Sequence, residues 1–258
     1  MKKILLCNGD SWTQGDSPAQ EINWEAEKSL DWYDIIPNFG EQNIHTRQTI
    51  LYKFYDSQVW PKVLGEKLGV ETWNCGRLGA SNDKIIRTTI NSIEYLESLG
   101  KTDIFVVIGL TSINRYSNIV CRTDKFKNQS YTYDCFCKRQ GGGPNSNLID
   151  PLLVKKDLVN LINIQNFLYM KGYDYLIFNA FDSLMEDDFK KLPLYKYINF
   201  DNIYNRDLKT HFRNHIDKKF NTAWNVSDEH YITSHPRDIS HIEWGNELHT
   251  YIKKNYNV

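Results

Sequence analysis

Several things are scarce in this chain, and each scarcity removes a class of function. No apolar run approaches the ~20 residues that a membrane-crossing helix needs, and the longest uninterrupted ones are strand-sized. The N-terminal lysines are followed by only four apolar residues, Ile4 to Cys7, too few for the hydrophobic region of a secretory signal. Leu5-Leu6-Cys7 has the outline of a lipoprotein cleavage site but lies too near the start and reads as strand. Charge of one sign is missing as well. The 31 Lys and Arg stand against 32 Asp and Glu, for a net charge of −1, so nothing electrostatic points to nucleic acid or an anionic membrane as partner. The 5 cysteines (7, 75, 121, 135 and 137) are odd in number and fit no zinc spacing. A reducing cytoplasm is the simplest setting.

Motifs for cofactors are equally thin. Gly141-Gly-Gly-Pro144 has no Lys-Ser/Thr behind it, which makes it a flexible loop rather than a phosphate cradle. Asp228-Glu-His230 sets one histidine beside two acids, a solvated loop more than a metal site, and Lys125-Phe-Lys127 is too short to argue for nucleic acid. The sequons at Asn128 and Asn225 carry no weight inside a cell. No repeat and no low-complexity linker divides the 258 residues, so one domain is expected, with no cofactor and no metal.

What is present starts at Ile4-Leu-Leu-Cys-Asn-Gly-Asp-Ser11. A short apolar run reads as a buried strand, and Gly9 permits the tight turn into a helix. In an open α/β sheet, ligands sit at the carboxyl ends of the strands. Ser11 would stand there with its peptide N–H at a helix N-terminus, suited to a developing negative charge. The plainer alternative is that Asp10 or Ser11 merely caps a helix.

Beyond it, residues 16–57 lack periodicity and read as an insertion or lid. Val59 to Leu68 is an amphipathic helix with Pro61 in its first turn and Gly69 at its end, and Val70 to Cys75 is a second strand. Ser81 caps a helix carrying Ile86, Ile90, Ile93 and Leu96 on one face, closed by Gly100. Asp103 to Gly109 is the clearest buried strand. Residues 117–150 read as a second irregular stretch. Pro151 opens a helix with Val154, Leu158, Leu161, Ile162 and Leu168 on one face, followed by a strand from Tyr173 to Phe178. Residues 182–233 form a third elaboration of unassigned order, expected with 16–57 to close over the active edge, and the chain closes on His235-Pro236 and a last helix. Strands alternating with helices predict a three-layer α/β/α sandwich around a mostly parallel sheet of about five strands.

Taken in order, Gly9-Asp-Ser11, Asn74…Gly79-Ala-Ser-Asn82, a strand ending at Gly109, and His235-Pro236 before the final helix resemble the SGNH (GDSL-type) hydrolase superfamily. The resemblance covers the framework elements, about 60% of the chain, and not the irregular stretches. Ile108-Gly-Leu-Thr-Ser-Ile-Asn-Arg115 and Gln165-Asn-Phe-Leu…Leu176-Ile-Phe-Asn-Ala180 further resemble an intracellular group often encoded by bacteriophages. The superfamily implies the flavodoxin-like sandwich, Ser11 as nucleophile, and the N–H groups of Ser11 and Gly79 as oxyanion donors. Its third donor is an Asn carboxamide in Gly-x-Asn-Asp; here Gly109-Leu-Thr111 puts a threonine there, with Asn114 one turn later. Its acid precedes the histidine in Asp-x-x-His-Pro, where this chain has Ile232. His235 is the expected base. Asp238-Ile-Ser-His241 offers a second alignment, although His241 falls on the apolar face of the last helix with Trp244, Leu248 and Ile252. The orienting acid is left among Asp228, Glu229, Asp238 or none.

The resemblance implies a serine esterase that removes a short, acetyl-like acyl group from a small polar ester or glycan. Ser11, His235, Gly79 and Thr111 would form its catalytic set, and Asp10, Asn114 and Arg115 would lie against substrate, with Arg77 a further candidate for anion contact. Two alternatives stay open: an acyltransferase using the same Ser/His pair, and a binding protein that keeps the fold without the chemistry.

Overall fold

A computed structural model describes residues 3–15, 58–77, 79–113, 115–123, 129–137, 151–180, 189–223, 229–232 and 235–258. The insertion expected at residues 16–57 and the Gly141–Pro144 loop lie outside them. The first apolar run forms β1 (Ile4–Asn8), buried at every position, and runs into the short helix α1 (Ser11–Gln14). Helix α2 (Trp60–Leu68) starts with Pro61 in its first turn and stops at Gly69, whose φ of 69° lies in the left-handed region that glycine tolerates. There follow β2 (Glu71–Asn74), α3 (Asn82–Ser98) and β3 (Ile104–Leu110).

β3 is buried at all seven positions, as a strand covered on both faces by helices must be. Next come the antiparallel pair β4 (Arg115–Thr123) and β5 (Gln129–Cys137), then α4 (Pro151–Lys171) and β6 (Asp174–Asn179). The remainder is a run of three 3₁₀ turns between Pro193 and Arg206, α5 (Phe212–Phe220), a two-residue hairpin of β7 (Tyr231–Ile232) and β8 (His235–Pro236), and α6 (Asp238–Asn255).

The central sheet has four parallel strands in the order β2-β1-β3-β6. Alternate side chains feed two cores. Ile4, Leu6, Val106, Ile108 and Ile177 pack with Ile85, Ile93 and Leu96 of α3 and Leu158, Leu161 and Leu168 of α4. Leu5, Cys7, Phe105, Val107, Leu176 and Phe178 pack with Trp60 and Leu64 of α2 and Trp244, Leu248 and Ile252 of α6. This is the three-layer α/β/α sandwich, with the flavodoxin-like strand order. Because β2 lies on one side of β1 and β3 on the other, the chain reverses direction across the sheet between β1 and β3. Their carboxyl ends open the crevice where such sheets hold ligands.

Three expectations need correction. The sheet holds four strands, not about five, among the described residues. Where a fifth would lie, only isolated parallel bridges join Ile177 to Ile203 and Asn179 to His211. A strand is interrupted there by the 3₁₀ turns and by Asn205 and Arg206, both at φ 55°. The stretch 117–150 is not wholly irregular, since β4 and β5 pair over nine residues each. Their sequences are mostly polar, so no apolar run betrays them. Finally, the described part of 182–233 is built into the cores instead of lying over the active edge. Phe189, Ile198, Ile203 and Leu208 join one layer, and Tyr204, Phe212, Ile216 and Tyr231 the other. No described helix is long and apolar enough to cross a membrane.

Candidate active site

The site grows from the end of β1. Asn8 is buried there and spends its whole carboxamide on local order. Its Oδ1 accepts the Gly9 N–H at 2.8 Å, and its Nδ2 reaches Ile85 O, Thr88 Oγ1 and Thr89 Oγ1 of α3 at 2.8–2.9 Å. Asp10 then caps α1 with extended backbone angles, its Oδ1 accepting the Trp12 N–H at 3.0 Å. Asp10 thus does cap, and Ser11 follows it as the first helical residue.

Ser11 is buried, and its Oγ lies 3.1 Å from His235 Nε2. The two are separated by 224 positions in the chain. His235 is held by the β7–β8 pair, in which Ile232 faces His235 and Tyr231 faces Pro236. The His230 carbonyl clamps the far side, accepting from Arg237 N–H at 2.8 Å and Ser240 Oγ at 2.9 Å. Tyr231 in turn packs on Trp12, next to the serine, with ring centroids 6.0 Å apart. The hairpin and the serine turn are therefore docked on each other through aromatic rings.

His241, the alternative base, lies elsewhere. It is fully buried in the aromatic layer, edge-on to Phe212, and its Nδ1 accepts the Trp60 peptide N–H at 3.4 Å. Burial, reinforced by His235, pushes its pKa down to about 3, so it stays neutral. Of the acids weighed as partners for His235, Glu229 lies 3.4 Å from His230 Nε2, Asp238 occupies the first turn of α6, and Asp228 is outside the described residues.

The loop after β2 is stitched to the same turn. Cys75 N–H donates to Cys7 O at 2.7 Å and Arg77 N–H to Gly9 O at 3.0 Å. Asn74 Nδ2 donates to Thr13 O at 2.8 Å. A Cβ on Gly76 would sit 2.5 Å from Gln14 N, so only glycine lets this loop close on α1. Gly79 follows at φ 66° with open space around its missing Cβ. Neither it nor Ser11 finds an acceptor for its N–H among the described residues. Arg77 is half-buried, and burial lowers its pKa from the ordinary guanidinium value.

Thr111 follows β3, and its hydroxyl donates to Asp10 Oδ2 at 2.7 Å. A hydroxyl has one proton, so Thr111 supports the turn and does not present that proton to an oxyanion. Arg115 Nη1 donates to the same Asp10 oxygen at 3.0 Å. Asp10 is therefore surrounded by donors. Burial raises its pKa, opposed first by Arg115, then by Thr111, the Trp12 N–H and His235. Asn114 is outside the described residues.

Two residues of this neighbourhood carried no role in the sequence reading. Asn82 binds both ends of the Thr111 peptide unit, its Oδ1 accepting Thr111 N–H at 2.8 Å and its Nδ2 donating to Thr111 O at 3.0 Å. The same Nδ2 donates to Asp157 Oδ2 at 2.8 Å. Asp157 is buried on α4, and desolvation raises its pKa to about 7. Its signal in the sequence is an acid one position from Leu158 and three from Val154, within the apolar face of a helix.

A serine hydroxyl within reach of an imidazole, at the start of a helix, with a buried acid held by Thr111 and Arg115 beside it, can be deprotonated as it attacks an electrophile. No group of three or more His, Cys, Asp or Glu side chains that could hold a metal occurs among the described residues. No family model matches the chain, and no curated protein matches it. Among solved structures, one match is "Structure of a putative lipolytic protein of G-D-S-L family from Desulfitobacterium hafniense DCB-2". It aligns over 96% of this chain and 98% of its own, at 10% identity and a TM-score of 0.42. Likeness at that level decides neither fold nor function; both rest on the strand order and the side-chain geometry of this chain.

Proposed function

We propose that the protein is a serine esterase of the SGNH type, removing a short, acetyl-like acyl group from a small polar ester such as an acylated carbohydrate. The observation that carries this is the 3.1 Å approach of His235 Nε2 to Ser11 Oγ. His235 takes the hydroxyl proton as Ser11 Oγ bonds to the ester carbonyl carbon. The negative charge that forms on the carbonyl oxygen meets the N–H groups of Ser11 and Gly79. Collapse of this intermediate expels the alcohol, which leaves with the proton from His235, and Ser11 keeps the acyl group. Water, deprotonated by His235, then adds to the acyl carbon and releases the acid. No cofactor takes part. The substrate is a small molecule of the cytoplasm, not nucleic acid or lipid bilayer, and the enzyme belongs with the intracellular, phage-encoded type.

A second reading has one observation in its favour: the Thr111 hydroxyl is committed to Asp10. Loss of one oxyanion donor typically costs about a hundred- to a thousandfold in rate. A slow enzyme, or a binding protein that has kept the fold, would follow from that.

Labelling with a fluorophosphonate probe separates the two. The expected result is covalent labelling of the wild type and none of Ser11→Ala, with His235→Ala slowed at least about a hundredfold. Wild-type protein that is folded and yet stays unlabelled would overturn the esterase.

A further inference from the structure

We infer that Asn82 and Asp157 form a positioning unit for the nucleophile, setting Ser11 through Thr111 and Asp10 without touching substrate themselves. The inference rests on the esterase reading of Ser11. A continuous set of hydrogen bonds carries it. Asp157 Oδ2 accepts from Asn82 Nδ2 at 2.8 Å, and Asn82 grips the Thr111 peptide unit on both sides at 2.8 and 3.0 Å. Thr111 Oγ1 then donates to Asp10 Oδ2 at 2.7 Å, and Asp10 is the residue before Ser11.

Each joint in this set is constrained. Asn82 has an amide with two N–H donors and one carbonyl oxygen; Thr111 and Asp157 between them use both donors and the oxygen. Rotated by half a turn, the Asn82 carboxamide would repel both groups of Thr111, so Thr111 selects its orientation. Asp157 accepts from the same Nδ2 and anchors the amide to α4, holding it in place against Thr111. Thr111 lies just past the end of β3, where the strand ladder no longer holds the backbone, so Asn82 is what continues the ladder. Displacement of Thr111 would carry Asp10 and the Ser11 turn with it. Errors of about 1 Å in such geometry cost on the order of a hundredfold in rate.

The surroundings of Asp157 make the unit testable by pH. The groups facing it are Asn82 and Asp83 of α3 and Lys156 and Asn160 of its own helix. Lys156 Nζ lies 3.2 Å from Asp83 Oδ1, so its charge is shared with that acid. Burial dominates and pushes the carboxyl up to about 7.

The test uses the full chain and the rate of fluorophosphonate labelling between pH 5 and 9, with folding followed by circular dichroism. Wild type should show the ionisation of Asp157 superimposed on that of the base. Asp157→Asn keeps an oxygen acceptor for Asn82 and should label within about threefold of wild type at its plateau, with one ionisation gone from the profile. Asp157→Leu and Asn82→Ala should label about ten- to a hundredfold more slowly. Should these two fail to fold, the Asp157→Asn profile decides. An unchanged pH profile in Asp157→Asn, or a wild-type rate in folded Asp157→Leu, overturns the inference. Absence of labelling in wild type itself is a different result, which removes the esterase reading first.

Discussion

The two ends of one sheet are built on opposite plans. At the amino ends of the strands, polar groups are paired in water. Lys101 reaches Glu71 at 2.7 Å, Lys171 reaches Glu97 at 2.7 Å, and Lys3 lies 3.7 Å from Asp103, all with partly exposed side chains. At the carboxyl ends the polar groups are inside: Asn8, Asp10, Ser11, Thr13, Asn82, Thr111 and Asn179 are each 0–3% exposed. Exposed pairs contribute little and tolerate loss. Buried polar groups are costly unless every one is satisfied. The carboxyl edge thus carries a concentration of polar groups that stability alone does not call for, which is the usual mark of an edge shaped by ligand chemistry.

Three measurements would break or sharpen this contrast. The largest effect is expected for Asp10→Ala, which removes the cap of α1 and leaves Arg115 beside an emptied carboxylate site. About 3–4 kcal/mol should be lost in urea unfolding, together with labelling of Ser11; a loss under about 1 kcal/mol would make this edge no different from the other.

The second effect is one of sign. Neutral His241, with its pKa lowered to about 3, binds fewer protons in the folded chain than in the unfolded one. Its contribution is complete above about pH 6.5 and is lost as pH falls toward 3. Asp157, with its pKa raised to about 7, binds more protons when folded. Its effect runs the other way, with stability falling as pH rises from about 4 to 7. Each is worth on the order of 3 kcal/mol between pH 4 and 7, so in the wild type the two nearly offset. Asp157→Asn should therefore become less stable at pH 4 than at pH 7, and His241→Leu more stable, each relative to the wild-type trend. Parallel pH–stability curves for all three proteins would refute the burial of these groups.

The smallest effect belongs to the amino edge: Lys101→Ala should change stability by less than about 1 kcal/mol, and less still in high salt. A larger loss would mean that this end, too, is specialised.

Most of the framework could be read before the structure, because it depends on local pattern. Ile104 to Leu110 announced a doubly covered strand by being uninterruptedly apolar, and Gly69 announced the end of a helix. β4 and β5 could not be read, since a polar ribbon outside the main sheet has no apolar period to display. The interruption beside β6 was likewise invisible; only the backbone at Asn205 and Arg206 shows why the segment cannot run straight. At the site, Ser11 and His235 were named from the motifs, but the use of Thr111 was not. Its partner lies 101 positions away, and a threonine at the position of an asparagine says nothing of where its proton goes. Asp157 is legible in principle, as an acid on an apolar helix face.

The bridges beside β6 have a consequence for how the molecule behaves in company. An open sheet has two edges, and a long bare edge is a template on which another chain can pair and aggregate. Among the described residues one edge is β2, only four residues long and partly exposed. The other is β6, whose five consecutive buried residues would make an adhesive margin. Ile203 and His211 touch it at two points, and the turns between them bend the chain away, so β6 is shielded while the shielding segment offers no ladder of its own. With bridges in place of a fifth strand among the described residues, the fold closes its more hazardous edge against other copies of itself.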